Sequence, residues 1–456
     1  MKLTFIADTH HYSKTLGTSG RAYELRSGSD QKCLAETGEI IDAAFKQIAE
    51  SDTDAVFILG DVTNDGEMVS HIEFREKLYE LKKSKPVYII TATHDWCCDG
   101  NPRRFDGDSA FNDVDVMKSE DLPEFYKDFG PNQAVDKYIT KIGTICYTVQ
   151  LNEKLRVLCL NDDKNDNDHA GFTKDCWQWI DRQIKQANED GCLIIGIEHH
   201  LLMPHISSLI TGGLVCVENR NYVASRFADA GLRYMFVGHS HIQATDRFTS
   251  KNGHSITEVN VGALCGYPAP IVNVTVNEDN TLTYNVDHLK NLVLNGEEIE
   301  ALPFLAEHAT ALINRIFECR TKETFEERLT ALQLNGEKFG KYWSLVKPVI
   351  HKLDHMKTYE AYKFLKVLGF AKGVSKEDAK EFADKPLKEF AGEVWLSVLD
   401  GAMNPKDESS TYYRLVMSVA AVPSKVLKNN GSMKKLEEAA HYALTGGDIN
   451  NQHATI

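Results

Sequence analysis

The feature that most limits what this chain can fold into is a series of short β-rich apolar runs, several of which stop at an Asp, Asn or His. Such runs occupy residues 3–7, 55–59, 87–91, 144–151, 156–160, 193–198, 234–237, 255–261 and 271–276. One more, 281–288, pairs with 271–276 across a polar turn at 277–280. Between the runs, segments 35–50, 69–83, 173–189 and 221–230 repeat apolar residues every three to four positions, the period of an amphipathic helix. Strands alternating with helices predict an α/β fold, a layered β-sandwich flanked by helices in the order αββα. Two long loops, 12–35 and 99–138, follow motif-bearing strand ends, where functional loops of α/β folds gather.

Past residue 303 the β-rich runs give way to helical spacing dominated by Ala, Leu, Glu and Lys. The division expected is a catalytic domain at 1–290, a connection at 291–302, an all-α C-terminal domain at 303–446 and a polar tail at 447–456 that frays. No apolar run approaches the ~20 residues of a membrane span. The opening residues, MKLTFIAD, enter a strand rather than a signal segment, so the expectation is a cytoplasmic protein without a membrane partner. The ten cysteines are scattered without a CxxC pair and read as reduced thiols.

The formal net charge is −15, and it is unevenly placed: residues 1–296 carry 29 Lys and Arg against 43 Asp and Glu, residues 297–456 carry 22 against 23. An acidic surface repels phosphate polyanions, which argues against duplex nucleic acid as a partner. A phosphate-bearing substrate would need metal cations to offset the carboxylates.

Five segments put Asp, Asn and His directly after apolar runs: Asp8-Thr9-His10, Gly60-Asp61-Val62-Thr63-Asn64, Thr93-His94-Asp95, His199-His200 and Gly238-His239-Ser240-His241. Carboxylates and imidazoles suit Mn, Fe or Zn, and the absence of thiolates argues against a structural zinc or iron–sulfur centre. The expected product is a site for two divalent or trivalent metal ions.

In order and type, these motifs resemble the calcineurin-like metallophosphoesterase family, whose pattern is DxH, GDxxD/N, GNHD/E, H and GHxH, over residues 1–290. The resemblance implies that Asp8, His10 and His241 bind one metal, that Asp61 bridges, and that His199 and His239 bind the second. It implies that His94 donates a proton to the leaving group, with Asp95 orienting its imidazole, while Asn64 ties its loop together. The activity implied is hydrolysis of a small phosphomonoester or phosphodiester by metal-activated hydroxide. Two cations ~3.5–4 Å apart can share one carboxylate, activate water and neutralise phosphoryl oxygens.

The chain departs from the family in the third motif, where Ala92-Thr93 replaces Gly-Asn. A threonine hydroxyl is a poorer donor than an amide oxygen, which weakens the second site. The alternative reading is therefore a phosphoesterase-fold scaffold with little turnover, whose helical C-terminal domain docks a partner or a second copy. His199 and His200 point opposite ways along a strand; the first suits the family, so His199 is favoured as ligand over His200. Arg21 and Arg26, like Lys14 and Arg103-Arg104, lie in the long loops and can reach a substrate phosphate if those loops fold over the metals. The run 162–168 resembles a calcium loop but lacks its sixth-position Gly and twelfth-position Glu, although Asn161 or Asp162 can reach the metal edge.

Overall fold

The computed structural model describes residues 1–205, 216–331, 337, 340–371, 373–426 and 431–456. Three strands, β1 (Lys2–Ile6), β2 (Ala55–Leu59) and β3 (Val87–Ile90), lie parallel and adjacent. A small hairpin, β4 (Arg104–Asp106) with β5 (Ser109–Phe111), folds out of the loop after β3. A second sheet takes β6 (Ala134–Ile139), β7 (Ile145–Asn152), β8 (Leu155–Cys159), β9 (Leu193–Ile197), β10 (Tyr234–Val237), β11 (Ala244–Thr249) and β12 (Ser255–Asn260). Its order is β11-β12-β10-β9-β8-β7-β6. The chain then returns through β13 (Pro270–Val276) and β14 (Leu282–His288), which extend the first sheet antiparallel from β1. After a hairpin of β15 (Asn291–Leu294) and β16 (Glu297–Glu300), the remainder is helical until β17 (His453–Thr455) completes the first sheet as β17-β14-β13-β1-β2-β3.

Period-two alternation sorts each strand's side chains between two apolar layers. Leu3, Phe5, Phe57 and Leu59 face the second sheet, where they meet Val157, Ile195 and Phe236. Phe5 stacks on Phe236 with ring centroids 3.9 Å apart. Ile6, Val56 and Ile58 face the other way, against Ile41, Phe45 and Phe74 of the helices Thr37–Ala49 and Met68–Lys82. The second sheet's outer face packs on Trp179, Ile180 and Phe227 of the helices Lys174–Glu189 and Arg220–Ala230. The result is the αββα sandwich expected from the sequence.

Two sequence expectations are revised. The segment expected to connect two domains forms the β15–β16 hairpin, and Ala301, Leu305 and Ala309 of the helix Ala301–Phe317 enter the same apolar cluster as Ile40 and Phe45. Val398, Leu399, Ala439 and Ala443 join it, so the helical part shares a core with the sandwich. The tail expected to fray instead pairs with β14 as β17; it buries Asn451, which accepts from the Thr245 N–H at 2.7 Å and donates to the Gly401 carbonyl at 3.0 Å. Its polarity is misleading because strand hydrogen bonds, together with the burial of Ile456, hold it.

Candidate metal centre

The parallel strands β1, β2 and β3 in one sheet and β9 and β10 in the other all run out at one edge of the sandwich, where the five motifs begin. Each chain segment must turn sharply there to aim its side chain back at a common point. Asp8, His10, Asp61, His239 and His241 all adopt left-handed backbone conformations, with φ of 53°, 39°, 48°, 69° and 60°. Such conformations cost roughly 1–2 kcal/mol per non-glycine residue and persist where the surroundings enforce them. The enforcement is visible in backbone bonds between loops: His10 N–H donates to the Asp61 carbonyl at 3.0 Å, and Gly238 N–H to the His199 carbonyl at 3.1 Å. Gly60 is required as glycine, since its φ is 88° and a Cβ there would lie 2.8 Å from both Ala92 Cβ and His199 Nδ1.

Two sets of ligating atoms result. In the first, His10 Nε2 and His241 Nε2 are 3.1 Å apart, and Asp8 Oδ1 lies 3.7 Å from His10 and 3.5 Å from His241. In the second, His199 Nε2 is 3.0 Å from Asp61 Oδ2 and 3.2 Å from His239 Nδ1. Asp61 Oδ2 also lies 3.8 Å from His10 Nε2, so this one carboxylate stands between the sets. His199 Nδ1–H donates to the Leu59 carbonyl at 2.8 Å, which turns its Nε2 lone pair toward Asp61 and His239. His10 Nδ1 is buried without a partner among the described residues.

The four imidazoles are not alike: burial opposes a proton on His199 too, but the Asp61 and Asp8 carboxylates outweigh it and hold that ring well above the ordinary imidazole value. Burial lowers His10 and His239 well below the ordinary imidazole value and takes His241 down to about 3, so these rings offer lone pairs at neutral pH. Burial, reinforced by Asp61, pushes Asp8 up to about 7, the mark of carboxylates crowded together without enough positive charge. Atoms bonded at ~2.0–2.1 Å to one ion and set roughly at right or tetrahedral angles stand ~3.0–3.4 Å apart. The 3.1 and 3.2 Å nitrogen separations meet that requirement. The residues present fit a pair of metal ions.

His94 lies beside both sets. Its ring stands edge-on to His10 at 4.8 Å, and its N–H donates to Asp61 Oδ1 at 3.0 Å. Its Nδ1 bonds to the Asn64 carbonyl and lies 3.4 Å from Asp65 Oδ1. Burial and the Lys32 charge oppose a proton on this ring, but Asp61 and Asp65 outweigh them and hold it above the ordinary imidazole value. Asp95, expected to orient the ring, does something else: it is fully buried and accepts from the N–H groups of Thr63 (2.9 Å) and Ala92 (2.8 Å). It ties the second and third motif loops together, and Asp65 takes the orienting place. The sequence signal for Asp65 was its position directly after Asn64. Asn64 acts largely through its backbone, whose N–H donates to the His11 carbonyl at 3.1 Å.

The remaining candidates divide. His200 packs its ring 4.3 Å from that of His239 but joins neither set: its Nδ1 lies 3.0 Å from Asp162 Oδ1, and its N–H donates to Asp162 Oδ2 at 3.0 Å. Asp162, Asp163 and His200 form a separate buried group. Thr93 opens the turn Thr93–Trp96 and lines a cavity of about 730 Å³ with Asp61, His94, His239 and His241. Arg26 lines that cavity and pairs with Asp30 at 3.0 Å, and Arg103 lines it and pairs with Asp65 at 3.0 Å. Arg21, expected as a phosphate contact, is a correction: it lies outside that cavity and pairs with Glu327 of the helical part at 2.9 Å. Five positions along the helix Arg21–Ser27 rotate the side-chain direction by roughly 140°, so Arg21 and Arg26 face different ways. Lys14 pairs with Glu39 and Arg104 with Asp113.

A two-layered sandwich with Asp and His clustered at one strand edge offers groups that could hold metal ions. The sequence model of the calcineurin-like phosphoesterases matches residues 1–243, and the chain belongs to that family. No curated protein matches the chain in sequence. Among solved structures, it is similar to a dimetal phosphatase from Danio rerio, at 13% identity and a TM-score of 0.45, over 66% of this chain and 98% of that one. It is also similar to a purple acid phosphatase from yellow lupin (Lupinus luteus) seeds, at 12% identity and a TM-score of 0.41, over 66% of this chain and 52% of that one. A third likeness is to a 5'-nucleotidase precursor from Thermus thermophilus, at 10% identity and a TM-score of 0.34, over 69% of this chain and 59% of that one.

Proposed function

We propose that the protein hydrolyses a small phosphate ester, with Asp8, His10 and His241 holding one metal ion, His199 and His239 a second, and Asp61 shared between them. The observation that carries this reading is the position of Asp61 Oδ2, 3.0 Å from His199 Nε2 and 3.8 Å from His10 Nε2, between two sets of otherwise unrelated ligands. Such a pair of ions, when bound, activates water near neutral pH and neutralises the phosphoryl oxygens during in-line displacement. Mn, Fe and Zn all suit the N/O donor set.

The chain's own residues supply the rest. The left-handed loops fix the ligands before any ion arrives, which removes reorganisation from the binding step. His94 serves as the proton donor to the leaving oxygen: Asn64 and Asp65 engage its Nδ1, leaving Nε2 for the substrate. The ten cysteines are unpaired, as suits a reducing cytoplasm. Among the described residues no helix is long and apolar enough to cross a membrane.

The test is to load the purified protein with Mn²⁺, count metals per chain by elemental analysis, and assay p-nitrophenyl phosphate and bis-p-nitrophenyl phosphate. Turnover that is lost in Asp61→Asn, together with part of the metal, is expected. Turnover unaffected by that substitution overturns the proposal; fewer than one metal per chain with no turnover favours a scaffold role.

A further inference from the structure

Lys32 carries no motif, yet it is 4% exposed and lines the cavity that holds Asp61, His94, His239 and His241. Its ammonium lies 3.7 Å from Asp30 Oδ2, beyond hydrogen-bonding distance, and it has no side-chain hydrogen bond among the described residues. Asp30 is already engaged by Arg26 at 3.0 Å, so one carboxylate is shared between two cations.

The loop that presents Lys32 is clamped from several directions. Cys33 N–H donates to the Cys265 carbonyl at 2.8 Å, and Gly266 must be glycine because a Cβ there would stand 2.7 Å from the Gln31 carbonyl oxygen. From the helical part, His308 Nε2 bonds to the Asp30 carbonyl at 3.2 Å. The Asp30 carboxylate, shared with Arg26, pairs with this ammonium without a hydrogen bond, so its N–H groups gain from a further anion that reaches them. The clamping holds the charge in place for such an anion and gives the helical part a role as a buttress of the cavity wall.

We infer that Lys32 binds a non-bridging oxygen of the substrate's phosphoryl group and thereby makes this a site for phosphomonoester dianions rather than phosphodiesters. The inference rests on the phosphoesterase reading above and names its substrate class. A monoester presents three non-bridging oxygens sharing two negative charges. With two of them taken by the metal ions that the Asp and His ligands would hold, the third is left for a donor on the cavity wall. A diester has one charge, and an ester carbon occupies that third position, so the same ammonium gains little from it.

The experiment compares wild type, Lys32→Met and Lys32→Arg, each loaded with Mn²⁺ and checked for metal content. Kinetics are measured on p-nitrophenyl phosphate and bis-p-nitrophenyl phosphate, and binding of inorganic phosphate is measured by calorimetry. Loss of a charge-assisted hydrogen bond predicts a fall of about 10- to 100-fold in kcat/KM for the monoester and in phosphate affinity, with less than about threefold change on the diester. Metal content is expected to stay constant, and Lys32→Arg to recover part of the loss. Equal losses on both esters, or phosphate binding that ignores the substitution, overturn the inference. If wild type turns over neither ester while Lys32→Met still weakens phosphate binding, the hydrolase reading fails and the anion-binding role of Lys32 stands.

Discussion

Replacing Glu67 by Gln is expected to stabilise the protein, and only above acidic pH. The Glu67 carboxyl is fully buried between the second motif and the helix Met68–Lys82. It accepts from the Asp65 N–H at 3.1 Å and from Asn64 Nδ2 at 3.5 Å. Burial first, and the neighbouring Asp65 carboxylate second, push it up from 4.5 to about 7. The folded chain therefore holds the proton more tightly than the unfolded chain does. That stabilising contribution is complete below about pH 4.5 and is lost as pH rises through about 7, a change on the order of 3 kcal/mol. Glutamine carries no charge to lose. Its oxygen can accept from Asp65, and once the Asn64 amide turns over its NH2 can donate to Asn64 Oδ1, which is buried without a partner among the described residues. Thermal melts of wild type and Glu67→Gln between pH 4.5 and 8, at constant salt and metal, are expected to coincide at the acid end. They then separate progressively, with the variant more stable at pH 8. A stability gap that is flat across this range, or that widens toward acid, would refute the reasoning.

The proton-donor role of His94 predicts a leaving-group signature. His94→Ala should slow hydrolysis of an alkyl phosphate by roughly 10²–10⁴ and affect p-nitrophenyl phosphate far less, because p-nitrophenolate departs without a proton; equal losses on the two would exclude the role. Deleting residues 450–456 should lower stability by on the order of 3 kcal/mol, through loss of the Asn451 hydrogen bonds, the β17 pairing and the burial of Ile456. A truncated chain that melts with wild type would show the tail to be dispensable.

The strands and helices of the sandwich were legible because their burial is written locally. β2 is buried along its whole length and reads as an unbroken apolar run, and the helix Lys174–Glu189 repeats its apolar residues at helical spacing. The strands that escaped notice are those whose side chains carry no such record. β6 alternates half-buried with exposed positions, β11 has its exposed residues beyond its first two, and β17 has none fully buried. They are edge strands, identified by hydrogen bonds to a neighbour whose position in the chain is remote. The shared core of the helical part was hidden for the same reason, since Ala301 and Leu305 look equally suited to a bundle of their own.

The linear order of residues dictates which chemical groups arrive at the strand edge: Asp8, His10, Asp61, His94, His199, His239 and His241 each follow a run that has to be a strand. Which way the side chains around them turn is set by the folded chain alone. Asp65 rather than Asp95 meets the His94 ring, Arg21 turns outward to Glu327 while Arg26 turns inward, and Lys32 faces the cavity because Cys265 and His308 clamp its loop. Strand and helix periods repeat over a few neighbouring residues and so survive in the linear chain. The direction of a loop side chain depends on contacts with segments as distant as 278 positions along it, which no local pattern records.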